Sequence, residues 1–288
     1  MPNWYADRDL LKSALSIPAS ASGAHDFLDA VLEGVSRNIE DHVGFSFYPS
    51  SQTRYYRPVN SAYLALDFPL LSVDSITLDT NGNGSYESTL DSTAYYLTPY
   101  NATEERPPRP WWGIELRSDA NASAVFPVKV AKGAKVAGTW GYYDQRTETT
   151  AKPTTAVTAA QNTIEFAGAS GLSPGMMLCL DSEQICVLEN GLSGSDTATT
   201  SGIVRVQRAL NGTTGATHSS LSTMSIYGYP IVSQAALYQA EMDYRGKDAP
   251  MGIAAGGEPG GGQRFAALGG LHPFVRRMLE PFREPTIR

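Results

Sequence analysis

At 288 residues, 42% hydrophobic and 18% charged, the chain is long enough for one or two domains with a core of ordinary size. A formal net charge of -7 argues against sequence-independent DNA binding by phosphate neutralisation, and 27 Gly with 18 Pro favour turns and β-structure over long helices. No apolar run approaches the ~18 residues of a membrane span. Asp7 and Asp9 stand where a signal peptide needs a basic start, which leads us to expect a cytoplasmic chain, and two cysteines do not make a disulfide scaffold.

Taken in order, residues 6–17 read as a short helix capped by Asp7, with Leu10, Leu11, Ala14 and Leu15 on one face. Residues 25–43 read as a longer one. Phe27, Leu28, Val31, Leu32, Val35, Ile39 and Val43 recur at helical spacing, and Gly44 stops it. The period then switches to two. "TRYYR", "AYLAL", "SVDSITLD", "STAYYLTPY", "WWGIELR" and "AKVAGTWGYY" predict an antiparallel sheet over about 53–143. From Ala151 to Tyr229 only eight of 79 residues are charged, and short strands recur around 163–166, 177–180, 184–188, 203–208 and 224–227. Pro230 opens another helix, running to about Arg245 with Ile231, Ala235, Tyr238 and Met242 in one stripe. Between Gly246 and Gly270, nine of 25 residues are Gly and two are Pro, which marks a tether.

The expected class is therefore α+β: a small helical core, of two N-terminal helices and one C-terminal helix, with an antiparallel β-sheet region. The expected segments are a core of helices then sheet (1–149), an inserted all-β domain (150–229), a core helix (230–246), a Gly-rich tether (247–271) and an extended C-terminal arm (272–288).

Several motifs imitate functional sites. "GLSPG" (171–175) matches the G-x-S-x-G hydrolase elbow, but the residue after Ser173 is Pro174, which has no N–H to offer an oxyanion. "DTNGNGSYE" (79–87) begins like a calcium loop, yet its twelfth position is Leu90 rather than a bidentate Glu. Asn-Gly pairs are a hairpin-turn signal, so a turn is expected. "GGEPGGGQ" lacks the Lys-Ser or Lys-Thr of a P-loop. His25, His42, His218 and His272 have no zinc-pair spacing, and His25 and His42 read as solvated helix-end residues. Of the adjacent Trp111 and Trp112, which could stack on sugars, strand alternation puts one in the core. A hairpin turning at Ser182–Glu183 would set Cys179 directly opposite Cys186, where a bridge is strained, so both thiols are expected reduced. No residue is assigned a catalytic, cofactor-binding or metal-binding role.

The end of the chain is the candidate site. In "HPFVRRMLEPF", Pro273 opens a helix and Pro281 ends it. Phe274, Val275, Met278, Leu279 and Phe282 gather on one side, with Arg276 and Arg277 elsewhere and Arg283 just beyond. Such a helix is shorter than the ~12–15 residues that persist alone in water. From His272 onward there are four arginines and two glutamates, on a chain otherwise acidic. An electropositive, amphipathic arm suits docking in a groove of a neighbouring subunit, where it would first acquire its shape; the alternative is packing on its own helices.

The order of parts resembles the head–tail connector (adaptor, or head-completion) proteins of tailed bacteriophages. The likeness is carried by "YADRDLLKSAL", "HDFLDAVLEGVSRNIEDHVGFSFYPSSQTRYY", "LDFPLLSVDSITLD", "AALYQAEMDYRGKDAPMGI" and "LHPFVRRMLEPFR". "LSPGMMLCLDSEQICVL" followed by "VRVQRALNGTTGATHSS" is similar to a β-module of phage structural proteins, in which an acidic hairpin precedes an Arg-x-x-Asn-Gly-Thr-Thr turn and a His. The resemblance implies a non-enzymatic virion protein, assembled in the host cytoplasm without cofactor or membrane. It would be a homo-oligomeric ring, commonly a dodecamer, at the neck. The arm would contact the portal protein through Phe274, Val275, Arg276, Arg277, Met278, Leu279, Phe282 and Arg283. Other neck or tail proteins would stack below, and genomic DNA would pass without sequence-specific binding. The other expectation is a tail-fibre or baseplate module whose β-domain contacts a host surface glycan.

Overall fold

The computed structural model describes residues 3–105, 109–118, 125–190, 201–247 and 270–283. It corrects the expected class. The protein is mostly β: the described residues form two antiparallel sheets, of six and seven strands, and only four α-helices, rather than a small helical core carrying a β insert. The reason lies in the lengths of the periodic runs. α1 (Arg8–Ala14) has seven residues and α4 (Pro273–Leu279) another seven, so only α2 (His25–Val43) and α3 (Pro230–Gly246) offer long apolar faces, whereas period-two runs fill most of the chain between them.

Two compact units result. One comprises residues 45–145 with 211–213, the other 1–44, 146–210 and 214–288. The helices and the Thr/Ser-rich strands thus share a unit, a division that differs from the segments read off the sequence.

The first unit holds β1 (Ser50–Tyr56), β2 (Tyr63–Leu78), β3 (Ser88–Thr89), β4 (Tyr95–Thr98), β5 (Trp111–Leu116) and β6 (Ala134–Trp140), in the order β1-β6-β2-β5-β4 with β3 on β2. Alternation along β6 buries Ala134, Val136, Gly138 and Trp140. The core gathers Leu64, Leu66, Ile76, Ile114, Phe126, Val136 and Trp140. Neither Trp111 nor Trp112 is fully buried: Trp111 lies against this core, and Trp112 meets Phe45 with ring centroids 5.9 Å apart. The 79–87 loop is a turn. Asp79, 3% exposed, accepts from the N–H groups of Gly82 (2.7 Å), Asn83 (3.2 Å) and Gly84 (2.8 Å), and Leu90 is buried.

The second unit's sheet contains β7 (Gln145–Glu148), β8 (Lys152–Pro153), β9 (Thr163–Ala167), β10 (Met177–Leu180), β11 (Glu183–Asn190), β12 (Ser201–Leu210) and β13 (Met224–Gly228), in the order β7-β13-β10-β11-β12-β9-β8. Its core is built from Ile164, Phe166, Leu178, Leu180, Ile185, Val187, Val204, Val206 and Met224. The β10–β11 hairpin turns one residue earlier than expected, at Asp181–Ser182, with Asp181 at φ 53°. Cys179 therefore pairs with Gln184 and Cys186 with Met177, so the two cysteines are not directly opposite. Both are buried and free, and burial pushes the Cys186 thiol up to about 12.

α2 ends as expected at Gly44, in the left-handed region at φ 89°. On α3 the buried residues are Val232, Ala235, Ala236, Gln239 and Ala240, while Ile231 and Tyr238 are each 39% exposed. The buried face is rotated from the predicted stripe, keeping Ala235 but adding the small Ala236 and Ala240 in place of Ile231 and Tyr238. An N-terminal strap ties this unit together. Arg8 forms a two-pronged pair with Asp29 of α2 (2.6 and 2.5 Å), and Lys12, 2% exposed, donates to the carbonyls of Ala19 and Ala21. His25, expected to be solvated, lies between Arg8 and Lys12 (3.3 and 3.1 Å). Ser173 is no nucleophile: it is 5% exposed and its hydroxyl accepts from the Asp9 N–H, while the Pro174 carbonyl accepts from Arg8. Gly175 sits at φ 95° with Trp4 so close that a Cβ would overlap the indole. Gly175→Ala is therefore expected to lower stability by about 1–3 kcal/mol through overpacking, with left-handed strain added, read as a shift in the urea midpoint.

Candidate functional site

The arm is seated on its own chain. α4 packs against α3 and the end of α2, and a short 3-10 turn (Glu280–Phe282) follows it. The expectation that residues 272–288 take shape only in another subunit's groove is thus corrected for 272–283; residues 284–288, like 248–269 of the tether, lie outside the described residues. Leu271 (3% exposed), Val275 (0%) and Leu279 (0%) face inward. His272 caps the helix, its Nδ1 accepting from the Phe274 N–H at 3.2 Å. The His272 N–H donates to Gln239 of α3 at 2.8 Å, and Gln239 in turn donates to Asp243 at 2.8 Å. Burial pushes the Asp243 carboxyl up, against that hydrogen bond. Gln239 is a site residue that periodicity missed. Its signal was a polar amide amid alanines on a buried face, where a hydrogen-bond partner is required.

The predicted docking residues are consequently split. Val275 and Leu279 are spent on the seat, and Met278 and Phe282 are half-buried. Phe274, 51% exposed, packs outward on Tyr238 at 5.2 Å, and Tyr238 also meets the His272 ring at 5.9 Å. Arg276, Arg277 and Arg283 are exposed, Arg283 alongside Glu280 at 3.5 Å. The outward face is an aromatic pair with Arg277, three residues after Phe274 and so on its side of the helix, while Arg276 and Arg283 bear on His42 of α2. Such a face can pack against apolar surface and pair with carboxylates of a partner.

A second cluster, in the seven-stranded sheet, has the composition of an acid–base site. Glu183, whose side chain is 1% exposed, accepts from Arg208 Nε and Nη2 (both 2.6 Å), from the N–H groups of Ala209 (3.0 Å) and Ala216 (2.9 Å), and lies 2.9 Å from His218 Nε2. His218 Nδ1 lies 2.7 Å from Asp181. Arg208 also donates to the carbonyls of Thr158, Gln161 and Ala216. Burial alone would raise the Glu183 carboxyl, but the bonds from Arg208, Ala216, His218 and Ala209 together hold it down at about 2. These are the acidic hairpin, Arg and His of the module-like stretch. With the Glu183 oxygens saturated and both Glu183 and His218 buried, the cluster has the character of a scaffold that ties the hairpin to the following loop.

The fold and these two features define a mostly β protein with a self-docked, basic–aromatic C-terminal helix. No protein-family model matches the chain, and comparison with curated proteins finds no match. Among the described residues, no group of three or more His, Cys, Asp or Glu is arranged to hold a metal, and no helix is long and apolar enough to cross a membrane.

Proposed function

We propose that the chain is a structural, non-enzymatic virion protein, a ring-forming connector at the phage neck that joins the portal to the tail and lets DNA through. The observation that carries this reading is the outward face of α4: Phe274 on Tyr238, with exposed Arg277 on the same side, on a chain of net charge -7. A cationic aromatic face on an acidic body recommends itself as a contact for a partner, and acidic walls let DNA slide without adhering. The connector-like order of segments supplies the identity of that partner, the portal. Arm docking in this reading uses the outward face, with Val275 and Leu279 kept at home. The glycan-binding alternative finds no support in the 151–229 module, whose aromatics are Phe166 (0% exposed), Tyr229 (4%) and the half-buried Tyr227.

The test is mass measurement of the purified protein alone and mixed with a portal protein from the same phage. Arg277→Glu and Phe274→Ala should each leave melting unchanged and weaken portal association by about tenfold or more. Unchanged association in both would reject the role of this face, and no association of the parent protein would reject the connector reading.

A further inference from the structure

The last turn of α2 carries His42 to where the arm is seated. The side chain is half-buried, and its Nε2 is sealed from solvent without a hydrogen-bond partner. A polar ring nitrogen in that state is costly, and more so when it carries charge. The charged groups that bear on it come from the arm: Arg276 on α4, and Glu280 and Arg283 just after it. On α2 itself, Asp41 points to solvent, and Glu40 is occupied by Tyr5 and Arg37. A helix C-terminus ordinarily favours a protonated histidine. Here burial first, then Arg283, hold the His42 imidazole below its ordinary 6.5; Glu280 pulls the other way, Arg276 adds a smaller downward push, and the Arg276 backbone a smaller upward one.

We propose that the arm is a proton-weakened latch: a proton on His42, whose Nε2 is sealed without a partner, adds a positive charge beside Arg276 and Arg283 and shifts α4 toward an unseated state in which Val275 and Leu279 are free. The sign follows from linkage. A histidine held low in the seated state binds protons better in the unseated one. Seating is therefore strongest above about 6.5 and weakens as pH falls through the lower, seated value. A seven-residue helix without its seat does not persist, so release also melts α4. The latch does not rest on the docking reading above, in which Val275 and Leu279 stay seated.

The experiment needs no partner. Amide exchange of residues 273–282, corrected for intrinsic rates, is compared near neutral pH and about one to two units lower, within the range where histidine titrates. Protection should fall several-fold on acidification in the parent protein. His42→Gln, uncharged at both pH values, should keep the neutral-pH protection and lose the pH response. In the full chain, Arg276→Gln/Arg283→Gln should move the NMR titration midpoint of His42 upward. Protection that ignores pH, a His42→Gln protein that responds like the parent, or a His42 midpoint unmoved by removing both arginines would each overturn the latch. Portal association can survive any of these outcomes, so the two proposals fail separately.

Discussion

Replacing Glu183 by Gln is expected to cost about 3–5 kcal/mol, the loss associated with removing one member of a buried ion pair. The amide turns an N–H₂ toward a pocket already filled with donors, and Arg208, 8% exposed at its side chain, loses its anion. Urea unfolding measures the effect, and a destabilisation under 1 kcal/mol would refute the scaffold assignment. The contrast is Arg205 with Glu189, a pair whose side chains are 46% and 44% exposed. Arg205→Gln there should change stability by no more than about 0.5 kcal/mol. The same carboxylate predicts an acid limb. Its value falls from the ordinary 4.5 to about 2 on folding, so its contribution is complete above 4.5 and lost as pH drops toward about 2. The shift corresponds to about 3 kcal/mol, and Glu183→Gln should flatten this part of the stability–pH profile.

Leu279→Ala is expected to cost about 2–5 kcal/mol of seating free energy, as for a fully buried leucine. The consequence should be local. α4 cannot persist unseated, so the arm should open while both sheets stay folded. Trypsin cleavage at Arg276 and Arg277 should accelerate by an order of magnitude or more, with little change in the main unfolding transition. Phe274→Ala, at a position 51% exposed, should leave trypsin resistance unchanged. Equal cleavage of the Leu279→Ala and parent proteins would mean that the seat holds the arm weakly.

The two predictions mark where sequence reasoning succeeded and where it stopped. α2 was legible to its last residue, because seven apolar residues at helical spacing and a terminal Gly44 are local signals. Most strands were legible for the same reason. The faces were less so. α3 turned its alanines inward and left Ile231 and Tyr238 partly exposed, since the choice depends on how closely another helix approaches. The β10–β11 register slipped because Asp181 takes a left-handed conformation and Glu183 is drawn inward by Arg208, 25 residues away.

What the sequence by itself determined is the list of parts: apolar periods, glycine stops, an acidic chain with a basic amphipathic end. What only the tertiary structure decided is their partnership. Arg8 with Asp29, Gln239 with His272, and Glu183 with His218 are joined across 21, 33 and 35 residues. Periodicity reports the free energy of one element's own burial, whereas a buried polar group is settled by whichever distant donor or acceptor reaches it. The arm shows the difference most directly. Its composition said that it needs a groove, and the fold supplied that groove from its own α2 and α3.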